Sequence, residues 1–451
     1  MVPAMSEQRD ELFARAPLPR AFTKMCLPVV TGMLVSLLYN MVDTWFIGRM
    51  NDANQMAAVS LCSPVFIILM GLGNIFGIGG SSVISRLMGE GKHDRVRRAC
   101  ATCYWAGILV GVAVGILLLL GRPVLLPLLG TSENTLTPTR QYVTILLCAS
   151  PLVLMNFTLL NILRCDGAAG WSMAGSIAGS VVNMVLDPVL IFACHMGVTG
   201  AALATVAGYI AGNLVFGFYV LRRSRALTLA LKEAAFDREI LGGVFAIGLP
   251  ASITNVLSSV SNIFLNNLLL PFGDTAIATM GIALKVNSIV TLLQVGFAGG
   301  MTPILGYNFG AKNAARLRQV LKGGGGFVLC LGTVLSVLVY AFAGPMIALF
   351  MNTEEIVTNG TVMLRALMLC GPFLGLLFIM TNYFQATGKA LPALLLSLCR
   401  QGLVFLGVLL LMSSLFGWNG IIYAQPVADY LTLILASVMF VRVLRKDLRG
   451  M

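Results

Sequence analysis

The amino-acid sequence predicts an all-α integral membrane protein with twelve transmembrane helices, arranged as two parallel six-helix repeats around a central cleft. Three observations predict it: the composition, the number of long apolar segments and an internal repeat. Of the 451 residues, 58% are hydrophobic and only 11% are charged, with a mean hydropathy of +0.89. A soluble protein carries about 25% charged residues. This composition therefore excludes a cytosolic enzyme, a secreted disulfide scaffold and a disordered chain.

The apolar segments give the number of helices. A hydrocarbon core of about 30 Å requires roughly 20 helical residues. In the first half the segments of that length are 24–47, 56–84, 99–121, 139–162, 171–193 and 199–221. In the second half they are 239–270, 275–305, 319–343, 359–385, 391–415 and 420–441. The polar residues before the first segment contain no apolar core, so no cleavable signal peptide is expected.

The distribution of Lys and Arg predicts the orientation. If both termini are cytoplasmic, most of the 30 Lys and Arg residues fall in cytoplasmic segments. Those at the outer ends of spans are Arg49, Arg122, Arg140 and Arg365. The formal net charge of +12 is thus a topology signal of a multi-pass plasma-membrane protein. It is not the footprint of a nucleic-acid-binding protein.

The two halves of the chain contain the same motifs, in the same order and at a nearly constant spacing. The pairs are Leu27-Pro28 with Leu249-Pro250, Gly89…Arg95 with Gly310…Arg316, Pro123…Thr131 with Pro345…Thr353, Pro151…Asn161…Gly167 with Pro372…Asn382…Gly388, and Gly197…Gly200 with Gly417…Gly420. Because each half contains an even number of spans, both enter the membrane from the same side. This predicts parallel repeats, typical of secondary transporters. The amino-terminal lobe is 1–221, the basic linker 222–238 and the carboxy-terminal lobe 239–451.

Polar residues at bilayer depth are the candidates for function, because they are costly there. The first lobe has two such acids, Asp43 in span 1 and Asp187 in span 5. Asn183 precedes Asp187 by one helical turn and shares its helix face. Thr205 lies at a comparable depth in span 6. These four residues form the candidate site for a coupling cation.

Two chemistries suit these oxygen atoms. Carboxylate, amide and hydroxyl oxygens are suitable ligands for a small hard cation such as Na⁺. Alternatively, two carboxyl groups held away from water can carry a proton. The structural alternative is that Asp187 only caps a kink at Pro188, while Asp43 reaches the nearby interface.

The second lobe lacks such an acidic pair and contains Lys285, Arg400 and Asp429 within its spans. Arg400 and Asp429 are expected to pair, either as a structural latch or as part of a functional site. Lys285 is expected to bind substrate or a lipid headgroup, or to join the same charge network.

The sequence gives little support for an enzyme or a channel. The only two histidines, His93 and His195, lie in loops, and no metalloprotease or serine-hydrolase motif is present. No segment resembles a carbonyl-lined selectivity filter. The ten cysteines are scattered, with one CxxC at Cys100 and Cys103, and are predicted to be inert thiols. A non-enzymatic protein without cofactors is therefore expected.

Several motifs together resemble the multidrug and toxic compound extrusion (MATE) family over nearly the whole chain, closest to its DinF-like and MepA-like prokaryotic branch. They are Met70-Gly71-Leu72-Gly73-Asn74, Ser85-Arg86-Leu87-Met88-Gly89, Asn183…Leu186-Asp187-Pro188, Val198-Thr199-Gly200-Ala201-Ala202 and Gln385-Ala386-Thr387-Gly388-Lys389. The resemblance implies a pair of six-helix lobes around a V-shaped cleft that export amphipathic, often cationic drugs in exchange for Na⁺ or H⁺. It also implies a cation site at the residues that match Asp43, Asn183, Asp187 and Thr205.

The expected substrate cleft includes residues of both lobes: Tyr39, Asn156, Met173, Asn262 and Gln294. The expected partners are small amphipathic drugs and membrane lipid, with no nucleic acid, and the expected oligomeric state is a monomer. One feature departs from other branches of the family, which carry acids in spans 7 and 10. This chain has asparagines in span 7, and Asn382 and Gln385 in span 10. Cation coupling is therefore assigned to the first lobe.

Two alternatives remain. A lipid-linked saccharide flippase shares the general plan, and Lys285 and Arg400 would suit its pyrophosphate group. The acidic first lobe and the count of twelve spans argue against it. A membrane receptor or assembly factor that transports nothing is the second alternative.

Overall fold

The computed structural model describes residues 5–49, 52–235 and 237–451. Across these ranges the chain is helical and contains no β-strand. The first half contains nine α-helices: α1 (Met5–Ala14), α2 (Leu18–Gly48), α3 (Ala53–Gly89), α4 (His93–Leu120), α5 (Arg122–Leu128), α6 (Glu133–Cys148), α7 (Ser150–Cys165), α8 (Ala169–Pro188) and α9 (Val198–Arg222). A five-residue π-helix, Val189–Ala193, follows α8.

The second half contains eight α-helices: α10 (Arg238–Leu269), α11 (Asp274–Gly310), α12 (Ala314–Ala341), α13 (Ala343–Ala348), α14 (Glu354–Met368), α15 (Gly371–Ala386), α16 (Ala390–Leu398) and α17 (Val404–Gly450). The π-helix Cys399–Leu403 joins α16 to α17. The short 3₁₀ helices Leu231–Glu233 and Leu270–Phe272 lie between longer elements.

The predicted twelve spans are recovered when bends and breaks are considered. Nine helices of the described part are long and apolar enough to cross a membrane. Two more crossings are bent pairs, α6 with α7 at 54° and α14 with α15 at 45°. The last stretch, Ala390–Gly450, has 61 residues, about three membrane thicknesses at 1.5 Å per residue. It breaks at Gly417, whose φ of 53° is not helical, and so forms two spans.

Each bend falls at a proline in the first turn of the second helix, Pro151 in α7 and Pro372 in α15. Proline lacks the backbone N–H that would continue the preceding helix. The two prolines belong to the repeated motif Pro…Asn…Gly, so the halves share this irregularity. The duplication predicted from the sequence is therefore visible in the helix geometry as well.

The two halves pack most tightly near the side that carries α1, the end of α17 and the segment between α9 and α10, here called the basic face. There α3 of the first half packs against α10 and α11 of the second. A methyl group built on Gly79 would lie 2.1 Å from the carbonyl oxygen of Val244, and one on Gly310 would lie 2.1 Å from that of Arg86. Only glycine permits such close helix contact.

The apolar core follows the same division. One cluster of buried residues joins both halves at the basic face and includes Phe13, Ile84, Leu317 and Phe384. Separate clusters fill the first half around Leu69 and Leu147, and the second half around Val286 and Leu409. The halves are thus two lobes of a V that is closed at the basic face.

Candidate functional site

The candidate site lies in the first lobe, where α2 and α8 bring Asp43 and Asp187 together. The two carboxyl groups lie close enough to interact electrostatically, although 144 positions separate them in the chain. Asp187 is completely buried. Oδ1 of Asp43 and both carboxyl oxygens of Asp187 have no hydrogen-bond partner among the described residues. Carboxylate oxygens that are buried without donors are costly unless a proton or a cation satisfies them.

Asp187 lies beside a proline and a π-helical turn. It occupies the last turn of α8, directly before Pro188, and the chain continues as the π-helix Val189–Ala193. Single π-helical turns often occur at functional sites, since they rotate side chains away from the regular helical register. Asp187 therefore sits at a local irregularity of span 5, with its side chain directed into the lobe.

Small residues bring the remaining site residues into contact. A methyl group on Gly179 would lie 2.8 Å from the carbonyl oxygen of Gly208, so α8 and α9 are in close contact there. Beside this contact the Asn183 amide nitrogen donates to Thr205 Oγ1 at 3.4 Å. The Thr205 hydroxyl in turn donates to the Ala201 carbonyl at 3.0 Å. Asn183 Oδ1 is left buried without a donor and is a further free acceptor.

Three tyrosines surround the acids. Tyr39 lies one turn before Asp43, and Tyr142 of α6 lines the same cavity as Asp43 and Thr205. The ring of Tyr209 lies 6.5 Å from that of Phe66 and 6.5 Å from that of Phe157. Tyr142 and Tyr209 are not among the residues predicted from the sequence. Each is a tyrosine within an apolar span, where the buried hydroxyl requires a hydrogen-bond partner, and this feature could have identified them.

Two cavities adjoin this group. One, of about 300 Å³, is lined by Asp43, and the other, of about 280 Å³, is lined by Asn156 and Asn183. The residues that line both are Tyr39, Asn40, Phe66, Thr205 and Tyr209. The acid pair therefore lies beside aromatic-lined space large enough for part of a small organic molecule.

The other expected cleft residues occupy different environments. Asn156 donates to Asn213 Oδ1 at 3.1 Å and thereby links two helices. Met173 is half-buried and packs near Gly32, and Asn262 is exposed on α10. The expectation that Gln294 lines the cleft is wrong for this conformation. Its side chain has no exposed surface and donates to the Gly371 carbonyl at 3.0 Å, which makes it part of the helix packing.

The charges of the second lobe form a pair but not the expected network of three. Arg400, in the π-helix Cys399–Leu403, lies 3.5 Å from Asp429 and 4.5 Å above the ring of Phe378. Gln425 also donates to Asp429, at 3.1 Å. Lys285 is exposed and has no ion-pair partner in the part of the chain that the structure describes. Of the three expected members of the charge network, the structure therefore brings together only Arg400 and Asp429.

Fold and site together define a membrane transporter, built from two repeated six-helix lobes with buried acids beside a cavity in one of them. The comparisons agree. The family model described as MatE matches residues 28–189 and 250–410, one match in each repeat. The chain therefore belongs to the MATE family.

The relatives are multidrug exporters. The multidrug export protein MepA of Staphylococcus aureus (strain MRSA252) is 32% identical over 98% of both chains. MepA of Staphylococcus saprophyticus has the same identity and coverage. A crystal structure of MATE in complex with MaL6 superimposes with a TM-score of 0.92, at 22% identity and 99% coverage of both chains. An outward-facing multidrug resistance MATE transporter gives 0.89 at 23% identity, covering 97% of this chain and 98% of that one.

Proposed function

We propose that this protein is a cation-coupled multidrug efflux antiporter that works by alternating access. The observation that carries the proposal is the acid pair next to the two cavities: Oδ1 of Asp43 and both carboxyl oxygens of Asp187 are buried and have no hydrogen-bond partner among the described residues. The names of the MepA relatives support drugs as the exported compounds. The aromatic lining suits amphipathic organic cations, since tyrosine and phenylalanine faces attract positive charge.

The coupling ion is Na⁺ or H⁺. The oxygens present fit either: two carboxyl groups, Asn183 Oδ1 and the Thr205 hydroxyl offer hard ligands for Na⁺. The same two carboxyl groups, close enough to interact electrostatically, can share one proton. In both cases the arriving positive charge offsets the unfavourable free energy of holding two carboxyl groups close together without hydrogen-bond donors.

The exchange follows from competition at one place. Asp43 and Thr205 line the cavity that a drug would enter, and Thr205 also lines the neighbouring one. A cation at the acid pair changes both the charge and the side-chain positions of this wall. If drug and cation disfavour each other by about 1–3 kcal/mol, each promotes release of the other.

Orientation and assembly belong to the same proposal. We place the basic face in the cytoplasm, because the positive-inside rule puts Lys- and Arg-rich segments there. The protein is then a plasma-membrane monomer with both termini cytoplasmic and no cofactor. A flippase for lipid pyrophosphates is less well supported, because Arg400, one of the two cations that would suit the pyrophosphate, pairs with Asp429.

The experiment is drug exchange in proteoliposomes with an imposed Na⁺ gradient or an imposed pH gradient, each alone. We expect one gradient to drive ethidium movement, and Asp43→Asn combined with Asp187→Asn to reduce gradient-driven movement about tenfold or more. The exposed Asp94→Asn serves as the control and should transport like the unmodified chain. Full gradient-driven exchange by the double variant would show that the acid pair is not the coupling site.

A further inference from the structure

The amino-terminal helix α1 contacts the first lobe through a buried ion pair. Arg9 is 2% exposed, and its Nη1 lies 3.3 Å from Asp166 Oδ1, on the connection between α7 and α8. The other oxygen of Asp166 accepts hydrogen bonds from the Tyr219 hydroxyl at 2.8 Å and from the Ser224 hydroxyl at 2.6 Å. Asp166 therefore joins α1 to α9 and to the segment that follows α9.

The same segment contacts the second lobe immediately afterwards. Phe13 is fully buried, with its ring 5.5 Å from that of Tyr307 in an edge-on arrangement. Its carbonyl oxygen accepts from Asn308 Nδ2 at 3.1 Å and from Arg316 Nε at 3.2 Å. The Ala16 carbonyl accepts from Arg316 as well. Tyr307 and Asn308 belong to α11, and Arg316 belongs to α12. All three lie at the basic face.

From these contacts we infer that α1 is a clasp that holds the two lobes together at the basic face and must release one of them when that face opens. The inference rests on the alternating-access mechanism proposed above. Opening separates the lobes, so the contacts of α1 cannot persist on both sides. Each contact is buried, and a buried guanidinium that loses its partner is strongly unfavourable. The clasp therefore stabilises the closed state by the free energy that is lost when the weaker of its two sets of contacts breaks.

The contacts identify the releasable side as the first lobe. When Arg9 leaves Asp166, it keeps Asp10, whose Oδ1 lies 2.9 Å from Nη2 at the protein surface. Asp166 keeps the hydroxyl groups of Tyr219 and Ser224. Arg316 would keep only a long hydrogen bond, 3.5 Å, to the neutral Gln319: it is buried, donates to the carbonyls of Phe13 and Ala16, and has no acidic partner among the described residues. The clasp therefore stays with the second lobe and leaves the first.

The test measures distances between spin labels in detergent, with the exposed or half-exposed Cys148, Cys194, Cys330 and Cys399 replaced by serine. Asp94→Cys at the start of α4 and Ala315→Cys in α12 report the separation of the lobes, and both positions are exposed. We expect Arg9→Ala and Arg316→Ala each to raise the ratio of open to closed molecules about tenfold. Their matched controls are Arg15→Ala, directly after α1, and Arg318→Ala, in α12; both remove exposed arginines and should leave the ratio unchanged.

A second pair of measurements uses proteins in which Arg9 and Arg316 are unchanged, so the contacts of the clasp are retained. A label at Arg15→Cys is paired with Asp94→Cys or with Ala315→Cys. In open molecules we expect the first of these distances to lengthen and the second to stay constant. An unchanged lobe separation in Arg9→Ala and Arg316→Ala, or lengthening of the α1-to-second-lobe distance instead, overturns the inference.

These distances require no transport, so the two proposals fail separately. If gradients drive no drug exchange but Arg9→Ala still opens the basic face, the antiporter proposal falls and the clasp stands. If exchange is normal and Arg9→Ala leaves the distances unchanged, the clasp falls alone.

Discussion

The ion pair between Arg400 and Asp429 permits a quantitative prediction. The two side chains are 17% and 5% exposed, and the N–O distance is 3.5 Å. At an effective dielectric constant of about 20, this distance corresponds to about 5 kcal/mol of gross attraction, much of it offset by desolvation. Asp429→Asn keeps the shape and the contact with Gln425 but leaves Arg400 buried without a counter-charge. Such a loss costs about 3–5 kcal/mol.

The ring of Phe378 moderates this cost. It lies 4.5 Å from the Arg400 guanidinium and retains a cation–π attraction of about 0.5–2 kcal/mol in the variant. We therefore expect the loss in Asp429→Asn to lie near the lower end of the range. Arg400→Met leaves Asp429 with Gln425 alone and should lose at least as much. The double variant Arg400→Met with Asp429→Asn should recover most of the loss, because no unpaired charge remains.

The assay is unfolding of the purified protein in detergent, read as a double-variant cycle. Lys92→Met is the control, because it removes an exposed pair with Glu90 at 2.6 Å and should cost less than about 1 kcal/mol. Drug exchange is measured on the same proteins. A double variant as unstable as the sum of the single variants would refute the reasoning. A stable double variant that exports normally identifies the pair as a structural latch.

Two further predictions concern helix contact and pH. Gly79→Ala places a methyl group 2.1 Å from the Val244 carbonyl oxygen, so α3 and α10 must separate by about 1 Å, at a cost of about 1–3 kcal/mol. We expect a lower unfolding midpoint and a more open basic face, whereas Gly242→Ala, with nothing within 4 Å, should change neither. At the start of α3, hydrogen bonds from the Gln55 side chain and backbone and from the Asn54 backbone lower the pKa of Asp52. Its stabilising effect is therefore present above the ordinary aspartate pKa of about 3.9 and is lost as the pH falls through the lowered value. Unfolding midpoints of the unmodified chain and Asp52→Asn should differ at pH 7 and converge in acid; a constant difference would contradict this assignment.

The number of spans and their duplication could be predicted because they depend on long apolar segments and repeated motifs. The bends at Pro151 and Pro372 could not be located in advance, although both prolines were recognised as repeated. A proline in an apolar segment is compatible with a kinked span or with two helices. Only the packing against neighbouring helices decides between them.

Depth along a helix can be read from the sequence, but the direction of a side chain cannot. Asp43 and Asp187 were grouped by depth and resemblance, and the structure brings their carboxyl groups together. The same reasoning places Gln294 and Lys285, yet Gln294 is fully buried with its amide nitrogen donating to a main-chain carbonyl, and Lys285 is exposed. A polar residue in a span can face a cavity, a main-chain carbonyl or a headgroup. The neighbouring helix determines which of these it meets.

The left-handed residue Gly417 has a practical consequence for anyone who engineers this protein. It is the one non-helical position inside the 47-residue helix Val404–Gly450, so the last two spans are joined by a turn with almost no loop. An epitope tag or a fluorescent protein inserted there would unwind helix on both sides. Alanine at 417 would instead favour a single straight rod too long for any bilayer. Insertions are better directed to the segment between α9 and α10, where the backbone already leaves helical geometry over several residues.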